Sequence, residues 1–207
     1  MQKQKALIVV DLQRDFCPGG SLAVPEGDTI VEEINELLPK FDLIIFTKDW
    51  HDPEMNAFAS QHEGKTPYQM YKTAQGENDI LWPDHCVKDT EGAEFHKNLD
   101  FSKCMKDFYI FKKGMKKEYH PYSAFGDTEL KEFLDERKVK EVYICGLATD
   151  YCVKDTAVDS SLSGYDTYVI RDACKGINSD LTETYGIFKD AGIMTIDTWV
   201  LDYLLSK

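Results

Sequence analysis

Six short apolar runs punctuate this chain, and stretches of helical periodicity separate most of them. The runs are Lys5–Val10, Leu43–Thr47, Asp107–Phe111, Glu141–Cys145, Asp166–Ile170 and Gly192–Ile196. The first is apolar without a break from Ala6 to Val10, the pattern of a parallel strand buried on both faces. Helical patterns run through Asp28–Lys40, Asp127–Lys138, Asp150–Ser163, Leu181–Asp190 and Thr198–Leu205, with Asp28 and Asp127 placed to cap the first two. Strands alternating with helices predict an α/β fold of three layers, a mainly parallel six-stranded sheet covered on both faces. The 207 residues suffice for one such domain, expected over 1–207, and are too few for two comfortable ones. A long stretch without strong period, about 50–106, interrupts the pattern, and loops of that length usually carry function or small elements of their own.

In parallel sheets, ligands bind beyond the carboxyl ends of the strands. Four consecutive strands here deliver reactive residues to that edge: Asp11, then Asp49 and His51, then Lys112 and Lys113, then Cys152. Cys152 follows a strand and opens a helix, within the stretch GLATDYCV (Gly146 to Val153), where Thr149 or Asp150 can cap. The helix dipole there lowers a thiol's pKa. A thiol nucleophile also needs a base and a cation. Asp11 suits the first role and Lys113 the second; Lys112 competes, on the opposite face. Each residue alone has an ordinary reading: a packed cysteine, a loop carboxylate, a solvated lysine. Their convergence favours an active site. Asp49-x-His51 with His85 forms a two-histidine, one-carboxylate set suited to Zn²⁺, Fe²⁺ or Mn²⁺. His62 could add a ligand, Cys86 reads as packing, and His96 and His120 read as spare histidines. Phe16 and Trp82 could wall a flat aromatic ligand or simply fill core.

A net charge of −13 argues against nucleic-acid or anionic-membrane partners. The apolar run before Asp11 is too short for a signal peptide or a membrane span. Six cysteines, with no C-x-x-C pair, read as reduced thiols in a cytoplasmic protein.

DLQRDFCPGGSLAV, KDWHDPEMNAFA, LWPDHCV, FKKG and GLATDYCV, in that order, resemble the nicotinamidase branch of the isochorismatase-like cysteine hydrolases, which share a Rossmann-like fold. The resemblance implies a catalytic triad of Asp11, Lys113 and Cys152. It implies one divalent metal, zinc first and iron or manganese next, on Asp49, His51 and His85. It implies a cis peptide between Leu147 and Ala148, with the amides of Ala148 and Cys152 as an oxyanion hole. Phe16, Trp82, Leu147 and Tyr151 then fall against a pyridine ring, and about 50–106 becomes a lid and metal-site insertion. The implied reaction is hydrolysis of nicotinamide, and of pyrazinamide, through a cysteine thioester, in the salvage of NAD. The partner is a small molecule; whether the chain is a homo-oligomer stays open. Lys65–Ile80 and Tyr151 depart from the familiar pattern. Amidases for carbamoyl or ureido substrates would lack the metal set, an isochorismatase proper would lack the cysteine, and a silent scaffold would break the triad. A redox-sensing thiol protein would leave Asp11 without a role.

Overall fold

The first apolar run becomes β1 (Gln4–Val10), buried from Ala6 onward. The computed structural model describes residues 4–73 and 75–206. The remainder of the expected 1–207 domain, and the first residues of the stretch read for a signal peptide, lie outside the described residues. After β1 come α1 (Val31–Leu37) and β2 (Ile44–Asp49), then a hairpin of β3 (Met70–Lys72) and β4 (Asn78–Ile80). Next follow β5 (Phe108–Lys113), α2 (Leu130–Glu136), β6 (Val139–Leu147), α3 (Lys154–Leu162) and β7 (Asp166–Lys175). The chain closes with α4 (Thr182–Asp190), β8 (Met194–Ile196) and α5 (Thr198–Leu205).

The main sheet has six strands in the order β5-β2-β1-β6-β7-β8, every pairing parallel, with helices on both sides. From β1 the chain first builds outward to β2 and β5, then returns to place β6 on the other side of β1. The order therefore reverses between β1 and β6, where parallel sheets open a crevice for ligands. Asp11 leaves β1 at that point and Cys152 follows β6. Gly146 holds the two strands close: it pairs with Val10, its φ is +116°, and a Cβ there would lie 2.1 Å from the Val10 carbonyl oxygen.

Several helices start or stop elsewhere than the periodicity predicts, because tertiary partners claim the polar residues. Asp28 sits in a 3₁₀ turn, Gly27–Ile30, and α1 begins after it; Pro39 lies in the 3₁₀ turn that ends it. The Asp127 carboxylate accepts from the Gly114 amide rather than capping α2, and Thr128 Oγ1 accepts from Leu130 instead. Asp150 caps nothing: its carboxylate accepts from the Ile177 and Asn178 amides at 2.9 Å and from Asn178 Nδ2 at 2.7 Å. It thereby ties down the loop that follows β7.

The 50–106 stretch packs onto the sheet as well as carrying the β3–β4 hairpin. Phe95 and Phe101 pack edge-on to Phe46 of β2, with ring centroids at 5.7 and 5.0 Å. Among the described residues, no helix is long and apolar enough to cross a membrane.

Candidate active site

Asp11, the first residue beyond β1, is fully buried. Its amide donates to Thr47 Oγ1 at 3.1 Å, and that hydroxyl donates back to Asp11 Oδ1 at 2.6 Å. Lys113 ends β5, opposite Asp49 at the end of β2, and is also fully buried. Its Nζ lies 3.0 Å from Asp11 Oδ2, forms a short ion pair with Asp49 Oδ1, and stands 3.5 Å from Cys152 Sγ. Lys112 points the other way, its Nζ 3.6 Å from the centre of the Trp50 ring. The carboxylates of Asp11 and Asp49 and the Cys152 sulfur offer atoms within 4.8 Å of one another.

Burial and charge compete in this cluster. Burial raises the Asp11 carboxyl above its ordinary pKa, more than Lys113 can offset. Burial acts the same way on Asp49, but there Lys113 and His51 win and hold it well below the carboxylate range. Burial would lower Lys113, yet Asp11 and Asp49 keep it well above a normal lysine. For Cys152, burial dominates and pushes the thiol well up; Lys113 opposes, and Asp49 and Asp11 add to the rise. This corrects the expectation that a helix N-terminus would lower it. The first turn is a π-helical one, Thr149–Val153, in which the Val153 amide donates to the Ala148 carbonyl at 3.0 Å. The Asp11 carboxyl, itself raised by burial, stands beside the sulfur.

Ala148 and Cys152 share that turn, and the Leu147–Ala148 peptide is cis. Leu147 is fully buried at the end of β6.

The carboxylate of Asp49 has a second side. Its Oδ2 lies 3.4 Å from His51 Nε2 and 3.8 Å from His85 Nε2. His51 Nδ1 bonds the Gly114 carbonyl at 2.9 Å, and His85 Nδ1 bonds the Pro83 carbonyl at 2.8 Å. A carbonyl only accepts, so both rings carry a proton on Nδ1 and turn Nε2 inward. His51 Nε2 is buried without a hydrogen-bond partner among the described residues. Burial lowers His85 to about 4, keeping it neutral. Imidazole nitrogens gathered beside a carboxylate fit a divalent transition metal. Gly114 makes room for His51: its φ is +69°, and a Cβ would lie 2.4 Å from the ring.

His120 joins this group. Asp49, His51, His85 and His120 all offer donor atoms within 4.8 Å of one another. Reading the sequence missed it, although it lies seven residues past Lys113, just before Pro121. His62 stays outside, bonding the Asn56 carbonyl at 2.7 Å. Cys86 is buried, its thiol pushed well up by burial, and is not part of the group.

Aromatic rings border the site. Phe16 lies 5.5 Å from His85, and Trp82 meets Tyr151 edge-on at 5.0 Å. Trp82 Nε1 donates to the Tyr122 hydroxyl at 2.9 Å, which donates to Asp79 Oδ1 at 2.9 Å. Tyr122, a second residue the sequence reading passed over, thus links Trp82 to the hairpin strand β4.

Residues 5–196 match the isochorismatase domain family. A nicotinamidase of Acinetobacter baylyi is 42% identical over 201 residues, covering 93% of this chain and 92% of that protein. The structure of an Acinetobacter baumanii nicotinamidase/pyrazinamidase superposes with a TM-score of 0.90 at 37% identity, covering 97% of this chain and 99% of that one. A Pyrococcus horikoshii pyrazinamidase, solved in complex with zinc, gives a TM-score of 0.79 at 40% identity over 94% of this chain and 99% of that one.

Proposed function

This chain belongs to the isochorismatase domain family, and we propose that within it the protein is a nicotinamidase, hydrolysing nicotinamide to nicotinate and ammonia and accepting pyrazinamide as well. One observation carries this reading: a thiol, a carboxyl and a lysine meet beside a histidine pair and a wall of aromatic rings.

Cys152 is the nucleophile and Asp11 its base. Asp11 takes the thiol proton as the sulfur attacks the carboxamide carbon. The raised Asp11 carboxyl suits a base that must later act as an acid. The amides of Ala148 and Cys152 stabilise the oxyanion; losing one such donor typically costs about 3–4 kcal/mol. Asp11 passes the proton to departing ammonia, leaving a thioester. A water that yields its proton to Asp11 then hydrolyses the thioester, releasing nicotinate and returning the thiol. Lys113 compensates the buried charges throughout. Phe16, Trp82, Leu147 and Tyr151 hold the ring in place.

Asp49, His51 and His85 would hold one divalent cation, zinc first and iron or manganese as alternatives, which when bound offers a Lewis acid to the pyridine nitrogen. We read the 50–106 stretch, with its hairpin, as the lid of a single domain spanning 1–207. The product feeds the recycling of NAD breakdown products. Six free cysteines suit a reducing compartment, and we place the protein in the cytoplasm.

The test is ammonia release from nicotinamide by the intact protein and by Cys152→Ala, each with and without a chelator. The intact protein is expected to form nicotinate, and the variant to lose roughly 10³-fold or more of the rate. Chelation should remove the activity and added Zn²⁺ restore it. A folded, zinc-loaded protein that releases no ammonia would overturn the reading.

A further inference from the structure

The proposed metal site has a neighbour whose position ring packing does not explain. His120 lies tilted at 44° to His51, ring centroids 4.9 Å apart, and edge-on to Tyr122 at the same distance. Those contacts satisfy its carbon faces, and a phenylalanine would make them equally well. Its two nitrogens are another matter. Both are buried, and neither has a hydrogen-bond partner among the described residues. Buried polar atoms are almost always paired, so two orphans on one ring call for a ligand.

The surroundings say which kind. One nitrogen of His120 lies within 4.8 Å of the donor atoms of Asp49, His51 and His85. Donors bound at about 2.0–2.2 Å on opposite sides of one metal stand roughly 4 Å apart, so four such atoms need only a small inward movement to share an ion. The next residue, Pro121, offers its carbonyl to Lys113 Nζ at 3.4 Å, which fixes the His120 segment against the triad lysine. On its outer side His120 lines a surface cleft of about 390 Å³. Glu77, Asp79, Asp155 and Asp159 line the same cleft, and no lysine or arginine among the described residues does. Such a cleft concentrates cations at its wall.

We propose that His120 is a fourth protein ligand to the divalent cation, so that the site is built from three imidazoles and one carboxylate, reached through the acidic cleft. The inference rests on the metal site assigned above to Asp49, His51 and His85. A third imidazole favours transition metals over magnesium or calcium, and on a six-coordinate ion it leaves two positions open for water and a ring nitrogen.

The experiment measures Zn²⁺ affinity, by competition with a chromophoric chelator, and the visible spectrum of the Co²⁺-loaded protein. Wild type, His120→Ala, His120→Phe and His51→Ala are compared, with circular dichroism confirming the fold. His120→Phe keeps the ring packing and deletes only the nitrogens. The expected result is a Zn²⁺ affinity lowered in both His120 variants by more than the roughly 10–100-fold typical of residues that merely support a ligand. The Co²⁺ spectrum should change with it. If His51→Ala loses the metal while His120→Phe keeps wild-type affinity and spectrum, the proposal is overturned and the three-residue site stands. If His51→Ala also binds Zn²⁺ as wild type does, the underlying metal site fails, and this inference with it.

Discussion

Asp49 and Lys113 end adjacent parallel strands in register, and their side chains close an ion pair wholly inside the protein. The same ammonium lies 3.0 Å from Asp11. One cation therefore compensates two buried carboxylates, one on the Cys152 side and one on the histidines' side.

Replacing Lys113 by methionine would leave both carboxylates without their counter-ion. Removing one partner of a buried pair costs about 3–5 kcal/mol. Urea unfolding followed by circular dichroism should show a loss of that size, together with loss of amidase activity. Unchanged stability would mean that the two aspartates are neutral in the folded protein.

Gly114→Ala should damage the proposed metal site through His51. The new Cβ would stand 2.4 Å from the His51 ring, at a φ of +69° that disfavours any side chain. The ring must move and release its bond to the Gly114 carbonyl. Titration calorimetry with Zn²⁺ should show affinity lower by roughly 10–100-fold, the usual effect of disturbing a ligand's support.

Tyr122→Phe should act on substrate binding rather than on chemistry. It strands the Trp82 indole N–H and cuts the bond to Asp79. A single hydrogen bond contributes about 0.5–1.5 kcal/mol, which predicts a KM for nicotinamide up to about tenfold higher with kcat nearly unchanged. Steady-state kinetics decide; a fall in kcat at constant KM would remove Trp82 from the substrate wall.

The acid limb of kcat/KM should report Asp11. As a base it works only when ionised, so activity falls as pH drops through its pKa. Burial raises that pKa, so the limb should lie above the ordinary aspartate value of about 4. A profile flat to below that value would show that another group receives the thiol proton.

Pattern and periodicity sufficed to set Asp11, Asp49, Lys113 and Cys152 at the ends of neighbouring strands, because buried parallel strands are written as unbroken apolar runs. Alternation put Lys113 and Lys112 on opposite faces without saying which one meets the site; the family resemblance chose Lys113. His120 could not be placed in the same way. It sits on a loop whose path depends on contacts such as Asp127 with Gly114 and Pro121 with Lys113, which have no periodic signature. Asp150 and Asp127 looked like caps because capping is the local option, and distant amides outbid it. The direction of the Cys152 shift was read wrongly for a related reason: a dipole is visible in sequence, whereas full burial is a property of the packed whole.

The contact of Gly146 with the Val10 carbonyl bears on how this scaffold can be altered. The floor beneath Asp11 and Cys152 is two backbones in contact at Gly146 and Val10, so it offers nothing to resize or soften. The rim, where Asp79, Trp82 and Tyr122 meet, consists of side chains on connecting segments and a short hairpin. Any change of substrate range, by selection or by design, has its freedom there, while the separation of Asp11 from Cys152 is inherited unchanged.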